Sequence, residues 1–324
     1  MNDILAVKEV VEKELHQFDD LMSNILKNDN SLLNEVIDFV FKKNGKQIRP
    51  ILVFLSAYAC GIPNKTTVST AVALELLHTA SLLHDDVVDE SYQRRGQSSV
   101  NAIFDNKVAI LAGDFFLASS LNLATETNSF QILRLFSSLG KDLSKGEIQQ
   151  LILSKQNIIN KNTYIEVIRQ KTAALFAVCA SSGALSVGAP NEEVDLLYKI
   201  GENLGIIFQI KDDIFDYFQN AELGKPTGND MREGKVTLPL IYAIQMNDLP
   251  EYELIIKNIQ ENNFSEEDIT KIVEFAKENG GIQYAEQVME EYKNVALNLI
   301  SQLKNNEIKN AFISLLNYFM VREK

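Results

Sequence analysis

Two short runs of this sequence place carboxylates where an ordinary apolar helix would not. Leu82-Leu83-His84-Asp85-Asp86-Val87-Val88-Asp89 closes one apolar stretch, and Phe208-Gln209-Ile210-Lys211-Asp212-Asp213-Ile214-Phe215-Asp216 repeats the spacing in another. Asp85 and Asp89 are four apart, as are Asp212 and Asp216, so each pair shares one helical face with its like charges adjacent. Such repulsion destabilises a helix unless a cation relieves it. Carboxylate oxygens are the ligands Mg²⁺ prefers, usually shared with substrate phosphates. One run of this kind is commonly a solvated acidic helix end. The second has aromatic and aliphatic flanks, so it interrupts a core-type helix, and unpaired acids are seldom buried. Two clusters on two buried helices can face one another across a cavity and share several Mg²⁺ ions.

Cations stand near both. Arg94-Arg95-Gly96 lies just beyond the first cluster, where a turn can fold two guanidiniums back over the metals. Gly45-Lys46-Gln47-Ile48-Arg49-Pro50 places Lys46 and Arg49 at a helix start, where amides and the helix dipole also favour anions. Lys171-Thr172 opens an uncharged stretch, and Gly224-Lys225-Pro226-Thr227-Gly228-Asn229-Asp230 follows the second cluster, with Lys235 beyond it. Singly, each is ordinary surface charge. Beside metal-type acid clusters they suit diphosphate groups, which call for both Mg²⁺ and bidentate cations. There is no GxxxxGK[ST] run, so an ATPase has little support.

The elements that must hold these groups are helices. The 324 residues are 46% apolar and 23% charged, with only 15 Gly and 6 Pro, a balance that favours long helices over a turn-rich β architecture. Apolar residues wrap Val72–Val88 and Ile200–Phe218, as in buried central helices. Helix starts are expected at Ser31, at Asn162 before Glu166, and at Ser265 before Glu266 and Glu267. Stops are expected at Gly61-Ile62-Pro63, Gly188-Ala189-Pro190 and Asn279-Gly280-Gly281. Asn44-Gly45, flanked by Lys-Lys and Lys-Gln, is expected to be a helix–helix loop. No linker or repeat divides the chain, so one large domain of ten or more helices is expected, and no strand stands out.

The formal net charge of −13 argues against general binding to nucleic acid or anionic membrane, but leaves a small anionic substrate open. Cys60 and Cys179 have no Cys or His at zinc-like spacing and are expected to be buried, reduced thiols of a cytoplasmic protein. The acid-laced N-terminus is no signal peptide. Thr172 to Asn191 carries no charge, but its Ser, Gly and Pro residues suit a tightly packed buried helix rather than a membrane span.

In order along the chain, these motifs resemble the trans-isoprenyl diphosphate synthases, or polyprenyl synthetases. The family pattern GKxxRP, ELLHxASLxHDDxxD, RRG, AGDF, KT, FQxxDDxxD and GKPxGND is met by Gly45–Pro50, Glu75–Asp89, Arg94–Gly96, Ala112–Phe115, Lys171-Thr172, Phe208–Asp216 and Gly224–Asp230, without departure at a motif residue. The resemblance implies an all-α bundle around a deep central cavity, usually a homodimer. It implies that Asp85 and Asp89 bind two Mg²⁺ and Asp212 a third, with Asp86, Asp213 and Asp216 ligating or supporting through water. Arg94, Lys171, Lys225 and Lys235 would hold the diphosphate of an allylic substrate, and Lys46, Arg49, His78 and Arg95 that of isopentenyl diphosphate. Thr172 Oγ, the Lys171 carbonyl and Gln209 would steady the carbocation left when the allylic C–O bond ionises.

One turn before Asp85 stand Ala80 and Ser81. In the family, bulky residues there block elongation and small ones permit it, so the resemblance implies a product of octaprenyl class or longer, as used for quinone side chains, with Phe136 as a deeper floor. A shorter-chain synthase is the alternative. A terpene cyclase would more readily replace the second acid motif and lack the Lys46/Arg49 site, and the intact triads weigh against a non-catalytic subunit of a heteromeric synthase.

Overall fold

Runs of apolar residues at three- and four-residue spacing, with few breakers, fold as helices wherever a cap is available to start them. The computed structural model describes residues 2–42, 45–94, 97–153, 160–218, 227–247, 258 and 265–322. Among these there are sixteen α-helices: α1 Asn2–Val10, α2 Glu12–Leu26, α3 Ser31–Phe41, α4 Ile48–Cys60, α5 Lys65–Val88, α6 Val100–Phe104, α7 Asn106–Glu126, α8 Phe130–Leu153, α9 Lys161–Ile168, α10 Ala174–Ser186, α11 Asn191–Phe215, α12 Asn229–Arg232, α13 Leu238–Asn247, α14 Glu266–Glu278, α15 Gly281–Ser301 and α16 Asn306–Val321. The fold is all-α. A single short ladder accompanies the helices among the described residues, where Gln93–Arg94 and Gln97–Ser98 pair antiparallel over two residues.

Caps explain the boundaries. Asn64 accepts from Thr66 N and Thr67 N and closes a capping box that starts α5, and Ser265 with Asp268 does the same for α14. The expected starts at Ser31 and Asn162 each sit slightly late: the capping oxygens belong to Asn30, bonded to Leu33 N, and to Asn160, bonded to Thr163 N. Stops fall as expected at Gly61, after α10 at Gly188, and at Asn279-Gly280. Gly45 lies in the connection between α3 and α4, while Asn44 lies outside the described residues.

The chain clusters into two compact units. The first contains Met1–Leu139, Leu175–Gly201 and Ile300–Leu315, and the second Gly140–Ala174, Glu202–Leu299 and Leu316–Lys324. In the first unit α5 is the core helix, buried from Thr67 to Leu74 and again at Leu76, Leu77, Thr79, Ala80 and Leu83. It packs extensively against α7. Gly183 of α10 permits a close crossing with α4, since a Cβ there would lie 2.2 Å from the Val53 carbonyl oxygen. Cys179 is buried as expected, whereas Cys60, at the end of α4, is half-buried, and neither is in a disulfide.

By length and composition α5 and α7 are apolar enough to cross a membrane. The apolar window of α5 is 72% buried within the fold, that of α7 only 39%. Ile110, Leu111 and Leu121 of α7 are exposed. Ala173 to Ala180, inside the uncharged stretch, are all buried, as that stretch's small residues imply.

Candidate active site

Both acid triads stand at helix C-termini, which corrects the expectation that the second interrupts a helix. α5 ends at Val88 and α11 at Phe215, so Asp85, Asp86, Asp212 and Asp213 occupy last turns, and Asp89 and Asp216 lie just past them. The C-terminal end of a helix already carries partial negative charge, so carboxylates there are doubly disfavoured without cations. Asp89 N–H still bonds to the Asp85 carbonyl and keeps that pair in helical register. Asp216 N–H instead reaches the Asp213 carbonyl, 3.2 Å away, so the second triad leaves the shared face.

In the first unit, a cavity of about 700 Å³ is lined by Arg49, Glu75, His78 and Asp86 together with apolar side chains of α2 and α3. Arg49 lies 3.9 Å from Glu75. His78 and Arg49 thus line the same cavity. Lys46 is exposed and Asp85 and Asp89 are half-buried, and none of the three lines the cavity. The Arg94 backbone is in the small ladder, and Arg95 lies outside the described residues. Ala80 and Phe136 are buried and Ser81 half-buried, with Ser81 Oγ bonded to the His78 carbonyl; none of them lines this cavity.

The second unit gathers more of the expected residues. A cavity of about 250 Å³ is lined by Lys171, Thr172, Gln209, Asp213 and Lys235. Lys171 and Thr172 are sequence neighbours and would diverge on a regular helix. They sit in a π-helical segment, Arg169–Ala173, whose wider turn lets both reach the cavity, a distortion often found at functional sites. Gly146 of α8 lets that helix approach; a Cβ there would lie 3.0 Å from Gln170 Cβ and 3.1 Å from Lys171 Cγ. The approach brings Glu147 Oε2 to 2.5 Å and Gln150 Oε1 to 2.9 Å from Lys171 Nζ. Lys235 Nζ lies 2.5 Å from Glu233 Oε2. Lys225 lies outside the described residues.

The three acids of the second triad have different partners. Asp213 is buried and accepts from Tyr164 OH at 2.6 Å and from Gln209 Nε2 at 2.7 Å. Burial pushes its carboxyl up to about 7, against the two hydrogen bonds and with help from Asp212 and Asp216. Asp216 accepts from Asn229 N and Asp230 N, both at 3.0 Å, and so shapes the loop that enters α12. Asp230 is raised well above the usual carboxylate range by burial and by Asp213 and Asp216. Asp212 Oδ1 accepts from Arg322 at 2.6 Å, while its Oδ2 accepts no hydrogen bond from a described residue. Arg322 also donates to the Phe208 carbonyl at 2.8 Å and stacks 3.9 Å from the Phe208 ring centre.

Among the described residues no three His, Cys, Asp or Glu side chains form a ready-made metal cage. Asp212 with an open oxygen, and Asp213 and Asp230 with raised affinities for a proton, are the chemistry of a cation site.

Tyr164, Glu147, Gln150 and Arg322 were not legible as site residues, and Asp230 was legible only as the last residue of the Gly224–Asp230 motif. Tyr164 carried a signal, because it precedes Lys171 by two helical turns and so shares its face. Arg322, far along the chain from Asp212, carried none.

Residues 30–276 match the Polyprenyl synthetase family. The chain belongs to that family. As a polyprenyl synthetase it is a prenyltransferase, and its relatives cover it almost completely. It is 33% identical to the octaprenyl diphosphate synthase of Haemophilus influenzae over 97% of this chain and 96% of that one. It is 34% identical to a geranyl-diphosphate-specific all-trans-nonaprenyl-diphosphate synthase of Rhodobacter capsulatus, over 97% and 95%. Its fold superposes with a TM-score of 0.93 on a Caulobacter crescentus polyprenyl synthase complexed with calcium and isoprenyl diphosphate, at 31% identity and 98% coverage of each chain. A geranylgeranyl pyrophosphate synthase of Bacteroides thetaiotaomicron is 44% identical, with a TM-score of 0.87 over 99% of this chain and all of that one.

Proposed function

We propose that the enzyme joins isopentenyl diphosphate head-to-tail to an allylic diphosphate such as farnesyl or geranylgeranyl diphosphate, and repeats the step to a long all-trans chain of octaprenyl class or beyond. The observation that carries the reaction is the cavity in which Lys171, Thr172, Gln209 and Lys235 meet beside the second acid triad. Small side chains at Ala80 and Ser81, and octaprenyl and nonaprenyl synthases among the relatives, support the long product.

Bound divalent cations, three Mg²⁺ in this reading, supply Lewis-acid stabilisation of the departing diphosphate. Asp85, Asp89 and Asp212 would hold them, with Asp86, Asp213 and Asp216 ligating or supporting through water. Lys171 and Lys235, each poised on a glutamate, pair with the allylic diphosphate, joined by Arg94 and Lys225. Lys46, Arg49, His78 and Arg95 hold the isopentenyl diphosphate. As the allylic C–O bond breaks, Thr172 Oγ1, the Lys171 carbonyl and Gln209 Oε1 present partial negative charge to the carbocation without attacking it. The isopentenyl double bond then forms the new C–C bond, and a proton leaves to the released pyrophosphate. No side-chain base is needed for that step. Apolar walls keep out water that would trap the cation.

Incubation of the purified protein with labelled isopentenyl diphosphate, farnesyl diphosphate and Mg²⁺ is expected to yield a polyprenyl ladder ending at or above eight isoprene units. A cyclic hydrocarbon would instead indicate a cyclase, and dependence on a second polypeptide a subunit role. Geranylgeranyl diphosphate as the final product is the second reading, favoured by the 44% identity to a synthase of that name.

The homodimer belongs to the same proposal. Ile110, Leu111, Ala118 and Leu121 form an exposed apolar face on α7, long enough for a second copy to cover. Leu111→Asp is expected to shift the protein from dimer to monomer in sedimentation equilibrium; an unaltered mass would place the interface elsewhere.

A further inference from the structure

The Thr172–Gln209 pair does not stand alone. Thr172 Oγ1 donates to Gln209 Oε1 at 2.7 Å, Gln209 Nε2 donates to Asp213 Oδ1 at 2.7 Å, and Tyr164 OH donates to Asp213 Oδ2 at 2.6 Å. All four residues line the same cavity. We propose that Asp213 and Tyr164 are positioning residues that fix which end of the Gln209 amide faces the reacting allylic carbon. The inference rests on the synthase reading above and adds a task for two side chains to it.

A primary amide has an oxygen end and a nitrogen end of almost the same shape, so packing alone does not choose between them. The charge near it does. Both Asp213 oxygens accept here, one from Tyr164 OH and one from Gln209 Nε2, so Asp213 holds Nε2 toward itself and leaves Oε1 toward Thr172. The pair then offers oxygen lone pairs to the cavity. Turned over, the amide would present two N–H groups, whose partial positive charge opposes a developing carbocation. Asp213 is itself held. Tyr164 OH takes its second oxygen, and both residues are buried, so the carboxylate cannot swing toward water. Tyr164 therefore acts on the reacting carbon only through Asp213 and Gln209. Thr172 closes the chain from the other side, its hydroxyl spent on Oε1.

A double-mutant cycle tests this. Tyr164→Phe is expected to lower kcat by about 10- to 100-fold, since small misplacements near reacting atoms have effects of that size. The KM for the allylic substrate should change by less than about 3-fold, because binding energy comes from the diphosphate contacts and stays uniform. In a Gln209→Ala background the same substitution should cost less than about 2-fold, as the amide it orients is gone. Equal losses in both backgrounds would overturn the proposal. Asp213→Asn, isosteric but able to donate, enters the same cycle and keeps the test available should Tyr164→Phe fail to fold.

Two binding measurements separate the possible failures. An aza-analogue of the allylic diphosphate, positively charged where the cation forms, should lose affinity for Tyr164→Phe by the factor seen in kcat. Its neutral carbon counterpart should not, and parallel losses for both would mean a merely structural role. Mn²⁺ alone should bind Tyr164→Phe as tightly as the unsubstituted protein and bind Asp212→Asn more weakly. If the unsubstituted protein neither binds Mn²⁺ nor turns over the diphosphates, it is the metal-dependent synthase reading that fails, and the orienting chain loses its purpose with it.

Discussion

Asp212→Asn is expected to lower kcat/KM by on the order of 10³-fold while leaving the far-ultraviolet circular dichroism unchanged. The reason lies in how the second triad spends its oxygens. Asp213 gives both of its oxygens to Tyr164 and Gln209, and Asp216 accepts two backbone N–H groups from Asn229 and Asp230. Asp212 alone keeps an oxygen without a hydrogen bond from a described residue. Its other oxygen is fixed by Arg322, itself anchored on the Phe208 carbonyl and ring, so the open oxygen has a defined direction. Asparagine preserves the volume and can still accept from Arg322, but it removes the charge that a hard cation requires. Fold and packing should therefore survive while diphosphate departure fails. Assay over a range of Mg²⁺ concentrations, with Mn²⁺ binding in parallel, checks the point. Near-normal turnover at ordinary Mg²⁺ would remove Asp212 from the ligand set. Asp216→Asn should behave differently, because an amide facing two N–H donors disturbs the loop into α12 and so lowers stability as well as rate.

The second large effect is on what the enzyme makes. Ala80→Phe is expected to shift the product distribution to shorter chains, read by resolving labelled products by length. Ser81 lies one helical turn before Asp85 on α5, and so over the same side of the helix, with Ala80 next to it; in the proposed scheme a chain growing away from the diphosphate would pass these two residues. A phenyl ring there would fill space the growing chain needs. Ala80 is buried, and forcing a ring into a packed site costs about 1–3 kcal/mol, so loss of fold must be distinguished from loss of length. Ser81→Phe, at a half-buried neighbour, is the companion substitution, and thermal unfolding of both variants accompanies the assay. A folded, active Ala80→Phe enzyme with unchanged products would defeat the elongation path past α5. Phe136, buried on α8, is the deeper floor in this scheme, so Phe136→Ala should lengthen the products.

The acid triads were legible because their signal is local. Four-residue spacing, apolar flanks and the order of the motifs along the chain are all properties of sequence, and so is the helical character around them. What the triads do at their helix ends was less legible. Asp216 sits past the end of α11 and caps a neighbouring loop, since a helix C-terminus is decided by the competition among caps and turns nearby, not by the acid itself. Capping oxygens at Asn30 and Asn160 fell one or two residues from the expected starts for the same reason. The small ladder at Gln93–Ser98 escaped notice because two-residue strands have no periodicity to detect.

The sequence by itself determined the all-α class, the family and the identity of the charged groups, since each of these resides in residue types at short spacings. Only the tertiary structure decided which partners those groups hold. It put Glu147 and Gln150 against Lys171 through a close helix approach at Gly146, and Arg322 against Asp212. It tied Thr172, Gln209, Asp213 and Tyr164 into one hydrogen-bonded chain. Contacts between residues so far apart in the chain are fixed by how helices pack, and packing depends on every buried side chain at once.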